Sequence, residues 1–252
     1  MNSNDVTIIV EAAGQTDKGL LRKENQDAFV VTEEILLVAD GMGGCAGGGV
    51  AASIVAAQLP EATGRLRGEE AELAEAIRDA LQEINDLVRK RGQEHPDLTM
   101  MGASLVFTLV RDERVFLVSL GDSRAYRLRG GTVEKLTREH TIGAALLEAH
   151  AIDEEKLSVH PLRNALARYV GMPGRVEPDV TPVEAQPGDW LLLCSDGICA
   201  IDEENLAEIV ERASSATEAC ALLIEAANAG GGHDNTTVVL ARFGSPEGRG
   251  SD

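Results

Sequence analysis

An α+β fold, with two antiparallel sheets packed on each other and helix pairs outside, is what this 252-residue sequence predicts. Three observations carry that expectation. Strand-like runs follow one another through short turns, which favours antiparallel pairing. Helical patterns come in pairs between groups of strands and do not alternate with single strands, which argues against a doubly wound parallel sheet. Aromatic residues are only 3% of a chain that is 44% hydrophobic, so Ala, Val, Leu and Ile must build the core.

Residues 7–13 read as the first strand, and 28–32 with 35–39 as a hairpin-like pair around Glu33-Glu34. A glycine-rich turn spans 41–49, and 50–59 reads as a buried, Ala-rich helix. Residues 69–91 form a long amphipathic helix, because Leu73, Ile77, Ala80, Leu81, Ile84 and Val88 recur at spacings of three and four. Pro96, in the polar hinge 92–99, prevents its continuation. Runs at 103–110, 115–120, 125–129 and 132–136 read as an antiparallel meander turned by Arg111-Asp112-Glu113 and Gly130-Gly131. Periodicity weakens over 141–178, which reads as an irregular insert with short helices at 146–150 and 153–157 and a basic segment at 163–170. A strand at 190–194, helices at 203–211 and 217–229, and a strand at 236–243 follow. The polar stretch 244–252 is expected to be a disordered tail. With no internal repeat and no dividing linker, residues 1–243 are expected to form one domain.

Acidic residues number 42 against 23 basic ones, a formal net charge of −19. Such a surface argues against nucleic acid or an anionic membrane as partner and attracts cations. Cys45, Cys194, Cys199 and Cys220 show no C-x-x-C spacing, so free thiols in a reducing compartment are expected and zinc is not. There is no signal-like opening and no apolar run of about 18 residues, so a cytoplasmic protein without a membrane span is expected.

The chemistry is concentrated in five stretches, each carrying an aspartate beside a turn signal. They are Arg22-Lys23-Glu24-Asn25-Gln26-Asp27, Ala39-Asp40-Gly41-Met42-Gly43-Gly44, Gly121-Asp122-Ser123-Arg124, Cys194-Ser195-Asp196-Gly197 and His233-Asp234-Asn235-Thr236-Thr237. Taken singly, Asp-Gly after a strand is an ordinary turn. Together they put carboxylates at strand ends, where they can converge, and converging carboxylates repel unless protons or cations neutralise them. An all-oxygen site suits a hard divalent ion such as Mg2+ or Mn2+, and a backbone carbonyl in a glycine turn can join it. The glycine-rich stretch lacks the lysine of a phosphate-binding loop and does not read as a nucleotide site.

In this order, Gly19-Leu20-Leu21-Arg22 with Asn25-Gln26-Asp27, then Val38 through Gly44, Gly121-Asp122-Ser123-Arg124, Ser195-Asp196-Gly197 and Asp234-Asn235-Thr236-Thr237 resemble the motifs of the metal-dependent serine/threonine protein phosphatases (type 2C, PPM). The resemblance spans about residues 12–243, and Met42 is similar to the bacterial branch. It implies a four-layer α-β-β-α sandwich, in agreement with the element order. It also implies hydrolysis of phosphoserine and phosphothreonine in proteins by a metal-activated water at a dinuclear Mn2+ or Mg2+ centre. By this resemblance Asp40, Asp196 and Asp234 form the catalytic set. Asp40 bridges two metals, the Gly41 carbonyl binds one of them, and Asp196 and Asp234 complete that ion's shell. Asp27 supports the second metal, and Asp122 with Asp196 holds a weaker third. Arg22 grips the substrate phosphate and Asn235 is a polar support. A guanidinium suits this task because it offers paired planar donors.

The same resemblance implies phosphorylated proteins as partners, among them a cognate serine/threonine kinase and its targets, and a monomer is the default. Residues 141–172 fall where the family has its variable flap, with Arg163 and Arg168 as candidate substrate contacts or simply a solvated face. Gln26 stands where many relatives have Glu, and Cys45 where many bacterial relatives have His. Cys45 and Cys194 are expected to be inert thiols, and the five histidines surface or capping residues. The alternative reading, supported only by Gln26, is a catalytically weak phosphatase-like binding module.

Overall fold

A computed structural model describes residues 8–42, 47–111 and 114–245. It has two five-stranded antiparallel sheets. The first contains β1 (Ile8–Asp17), β6 (Arg124–Arg129), β7 (Thr132–Lys135), β9 (Trp190–Cys194) and β10 (Thr236–Gly244), in the order β1-β10-β9-β6-β7. The second contains β2 (Asp27–Val31), β3 (Ile35–Met42), β4 (Gly102–Arg111), β5 (Arg114–Leu120) and β8 (Asp179–Val183), in that order.

Side-chain alternation explains the layering. On β3, Ile35, Leu37 and Ala39 pack against α1 (Gly47–Gly64) and α2 (Glu70–Glu94), with Val55, Leu59, Leu73, Ile77 and Leu81. The intervening Leu36 and Val38 face the other sheet, where they meet Leu191 and Leu193 of β9 and Val239 and Ala241 of β10. On the far side, Leu192, Val238 and Leu240 pack against α5 (Asn205–Glu211) and α6 (Ala216–Ala229). Strands buried on both faces read as continuous apolar runs, as 35–39 and 191–194 do. This is the expected helix–sheet–sheet–helix order. Among the described residues, no helix is long and apolar enough to cross a membrane.

Four readings are corrected. The four runs from 103 to 136 are two hairpins, not one meander: β4 pairs with β5 in the second sheet, and β6 with β7 in the first. The chain changes sheets at Gly121-Asp122-Ser123. Gly41 and Met42 are not in a turn but inside β3, which runs on past Asp40 and pairs Gly41 with Ala103. Helix α1 begins at Gly47, three residues before the expected start. Finally, β8 lies in 179–189, a stretch read without any element; Pro182 hides it from strand patterning but is tolerated on an edge strand, where β8 pairs only with β5. The flap carries short helices α3 (Ile142–Glu148) and α4 (Glu154–Ser158). Of the expected tail, Gly244 ends β10, and 246–252 lie outside the described residues, as does Cys45.

Candidate active site

The inner-facing alternation of both sheets runs on into a polar end. Beyond Leu36 and Val38 the next inward position on β3 is Asp40. It pairs directly with Asp27 on β2 and, on its other side, with Ser104 on β4. Carboxylates directly opposite each other on neighbouring strands repel, so this pairing destabilises an isolated sheet. On the facing sheet the inward series Leu191, Leu193 reaches Ser195, and Ala241, Val239 reaches Thr237. Ser195 Oγ donates to Asp27 Oδ2 at 2.8 Å and Thr237 Oγ1 donates to the same oxygen at 2.6 Å. These hydrogen bonds cross the gap between the sheets. Thr16 Oγ1 lies 2.6 Å from Thr237 Oγ1 and receives Asn25 Nδ2 at 2.8 Å.

Asp122, Asp196 and Asp234 come from connections. Asp122 sits on the sheet-to-sheet crossover, Asp196 opens the 3-10 helix Asp196–Ala200 after β9, and Asp234 precedes β10. All three line one cavity of about 290 Å³ with Asp40, Gly41, Gln26, Ser104 and Arg22. Arg22 pairs with Asp234 Oδ2 at the cavity wall. Asn235 holds the Arg22-bearing loop: its Nδ2 donates to the Lys18 and Glu24 carbonyls, both at 2.9 Å, and its Oδ1 accepts from the Gln26 N–H at 2.9 Å. Gly41 is required by contact, since a Cβ there would lie 2.3 Å from the Gly48 backbone and 2.5 Å from the Gln26 carbonyl.

Burial is the first cause that raises the pKa of Asp27, Asp40, Asp122 and Asp196. Asp40 is pushed well above the carboxylate range, next by Asp27 and then by Asp196, Asp122 and Asp234. Asp196 is pushed up to about 7, next by Asp122 and Asp234. The hydroxyls of Thr237 and Ser195 pull Asp27 back, as Ser104 does Asp122. Asp27 Oδ1 is buried without a hydrogen-bond partner. A divalent cation answers both the unpartnered oxygen and the mutual repulsion, and the donors are all hard oxygens. Among the described residues, no group of three or more His, Cys, Asp or Glu side chains is placed closely enough to hold a metal ion by itself.

Sequence reasoning missed the supports. Ser195 and Thr237 lay inside recognised motifs without a role, and Ser104, bonded to Ser123 at 2.6 Å, carried no signal. His140 is buried, not a surface residue. Its backbone N–H donates to the Gly121 carbonyl at 2.8 Å, its Nδ1 accepts from the Gly121 N–H at 3.1 Å, and its carbonyl accepts from the Ala167 N–H at 2.7 Å. It thus ties the Asp122 crossover to the flap. Burial lowers its pKa despite Asp179 nearby, which keeps the imidazole neutral and leaves Nδ1 free to accept. From the flap, Asn164, Ala165 and Leu166 line the cavity, whereas Arg168 is engaged by the Glu177 carbonyl and Asp179. Cys194 is buried, its thiol donates to the Arg124 carbonyl at 3.6 Å, and burial raises its pKa, as expected of an inert thiol.

A family model described as Protein phosphatase 2C matches residues 22–228. The chain is 36% identical over 241 residues to the serine/threonine phosphatase stp of Listeria welshimeri, covering 92% of this chain and 95% of that protein. The crystal structure of the Mycobacterium tuberculosis serine/threonine phosphatase PstP/Ppp is similar at a TM-score of 0.80 and 36% identity, over 93% of this chain and 99% of that one. A structure of the catalytic domain of PstP in complex with two manganese ions is similar at a TM-score of 0.78 and 34% identity, over 94% and 99% of the two chains.

Proposed function

The chain belongs to the protein phosphatase 2C family, and from that premise we propose that it removes phosphate from phosphoserine and phosphothreonine in proteins at a Mn2+- or Mg2+-loaded carboxylate site. The observation that carries this reading is the meeting of Asp40, Asp122, Asp196 and Asp234 in one cavity with Arg22 on its wall and Asp27 paired to Asp40. Bound divalent ions supply neutralisation of the phosphate dianion and activation of the attacking water.

The residues divide the remaining work. Asp40, which lines the cavity and pairs with Asp27, would be shared by two ions, with the Gly41 carbonyl beside it as a further ligand. Asp196 and Asp234 would complete one ion's shell, Asp27 would support the other, and Asp122 with Asp196 would hold a weaker third. Ser195 and Thr237 orient Asp27 by donating to Oδ2, which leaves Oδ1 for the ion. Arg22 binds phosphate oxygens through paired N–H donors and so fixes the phosphorus against the site. Asn235 holds the loop that presents Arg22. No protein nucleophile is needed.

Residues 1–243 act as one catalytic domain in this reading. A serine/threonine kinase in the same cytoplasmic compartment supplies the phosphoproteins, and the chain works as a monomer. The test is hydrolysis of p-nitrophenyl phosphate and a phosphothreonine peptide with Mn2+, with Mg2+ and with EDTA, beside Asp196→Asn. Metal-dependent turnover lost with EDTA and in the variant is expected. Metal binding without turnover would overturn the enzyme and leave a phosphatase-like binding module.

A further inference from the structure

Among the described residues, the exposed large apolar side chains are Leu20, Leu21, Leu87, Met100, Val159 and Leu162. Four of these six sit on two segments that lead into the cavity wall. Leu20 and Leu21, each 65% exposed, precede Arg22. Val159, 79% exposed, and Leu162, 50% exposed, precede Asn164. Arg22 and Asn164 both line the carboxylate cavity. Apolar residues scattered singly over a surface need no explanation, but two exposed pairs, each within five residues of a cavity-lining residue, on a chain of net charge −19 do.

Both segments are held. The Leu20 and Leu21 N–H groups donate to the Gly232 carbonyl at 2.8 and 3.3 Å. Gly19, at φ +74°, packs so closely that a Cβ would lie 2.3 Å from the Asp234 carbonyl. Opposite, the Ile142 N–H donates to the Ala165 carbonyl at 2.7 Å and the Gly143 N–H to the Arg163 carbonyl at 3.2 Å. A backbone already fixed loses little freedom when a partner covers it, so only side-chain rotamers remain to be ordered.

We propose that these two segments form an apolar rim that reads the residues beside the phosphorylated one. The preferred substrate is an extended phosphoserine or phosphothreonine segment with large apolar neighbours, and the acidic surface disfavours acidic flanks. This rests on the phosphatase reading and narrows its substrate class. The occupant is a phosphorylated segment because the rim is continuous with Arg22, the phosphate-binding group. Neighbouring residues of an extended chain advance about 3.3 Å each, so the residues on either side of the phosphorylated one are the part of the substrate presented to the segment that precedes Arg22.

The experiment compares three phosphothreonine peptides, with Leu, Ser or Asp at the positions on either side of the phosphothreonine, and p-nitrophenyl phosphate, all with Mn2+. The enzymes are the full chain, Leu20→Ser/Leu21→Ser and Val159→Ser/Leu162→Ser. The wild type is expected to prefer the Leu-flanked peptide over the Ser-flanked one by about 10-fold, the low end for apolar recognition, mainly through KM. Each double variant should shrink that preference and leave p-nitrophenyl phosphate turnover unchanged. Equal kcat/KM for all three peptides, or a full preference in both variants, would overturn the rim. So would a concentration-dependent dimer abolished by the same substitutions, which would assign the rim to a second copy. If neither p-nitrophenyl phosphate nor any peptide is turned over, the phosphatase reading fails first and the rim with it.

Discussion

Asp27 and Asp40 ride on paired strands, while Asp122, Asp196 and Asp234 sit on connections. The two groups meet in one site but are aimed by different means. Backbone register spaces the first pair: Asp27 opposite Asp40, and Asp40 opposite Ser104, follow from the ladders that align Val38 with Phe29 and Val106. The second group has no ladder to aim it and depends on local supports. Gly121, at φ +114°, and His140 shape the Asp122 crossover, and Asn235 and Arg22 surround Asp234. Strand-borne carboxylates should therefore be sensitive mainly to their own replacement, and connection-borne ones also to that of their neighbours.

The largest effect should come from Asp40→Asn, which removes the central charge without disturbing the ladder. Mn2+-dependent turnover is expected to fall more than about 100-fold, beyond the cost of losing a supporting group alone, with an unchanged circular dichroism spectrum. Retained activity would break the comparison at its strand-borne side. Next, Thr237→Val deletes one of two hydroxyl donors to Asp27. It should weaken Mn2+ binding by roughly 10-fold, the low end for such a support, measured by titration calorimetry. His140→Ala should loosen the Asp122 crossover and the flap together. Faster hydrogen exchange at Gly121 and Ala167 is expected, with recovery in His140→Asn if the short amide can accept from the Gly121 N–H in place of Nδ1. No change in exchange would show that the crossover stands without that support.

The smallest effect concerns pH. Asp196 rises from an ordinary 3.8 to about 7 on folding. Between those values the folded chain holds a proton that the unfolded chain has released, so metal-free stability falls as pH rises from about 4 to 7. The melting temperature should drop across that window, at about 2–4 °C per kcal/mol for a chain of this size. The slope should be shallower in Asp196→Asn and reversed in sign of effect when Mn2+ is added, because an ion favours the ionised form. A flat profile would mean that the connection-borne carboxylate is less confined than its surroundings indicate.

The same division explains what the sequence disclosed. Helix α2 was legible to within three residues because its apolar stripe is a local pattern, and the start of α6 lies one residue from the expected 217, with the Ser215 side chain accepting from the Glu218 N–H. All five aspartates were legible as a set because each carries a local signature. Their setting was not. Asp40-Gly41 looks like a strand end from its neighbours alone, and only pairing with Ser104 and Ala103, more than sixty residues away in sequence, keeps it extended. The apparent meander divided between two sheets for the same reason, since a turn signal states that the chain reverses and not which sheet it joins. Ser195, Thr237 and His140 act by contacts across the gap or to a distant turn, and no spacing rule reports those.

The place of β10 has a consequence for how the protein is made. It is the last strand of the described chain, yet it lies between β1 and β9, pairing with both. Its Thr237 also closes the hydroxyl pair on Asp27. A ribosome-bound chain that has already produced the segments of β2 and β3 carries Asp27 and Asp40, but not the strand that satisfies Asp27 from across the gap. Such long-range closure is slow compared with local structure. The growing chain is therefore expected to stay silent as an enzyme until its final strand slides between the first and the ninth, so that synthesis itself delays the onset of dephosphorylation.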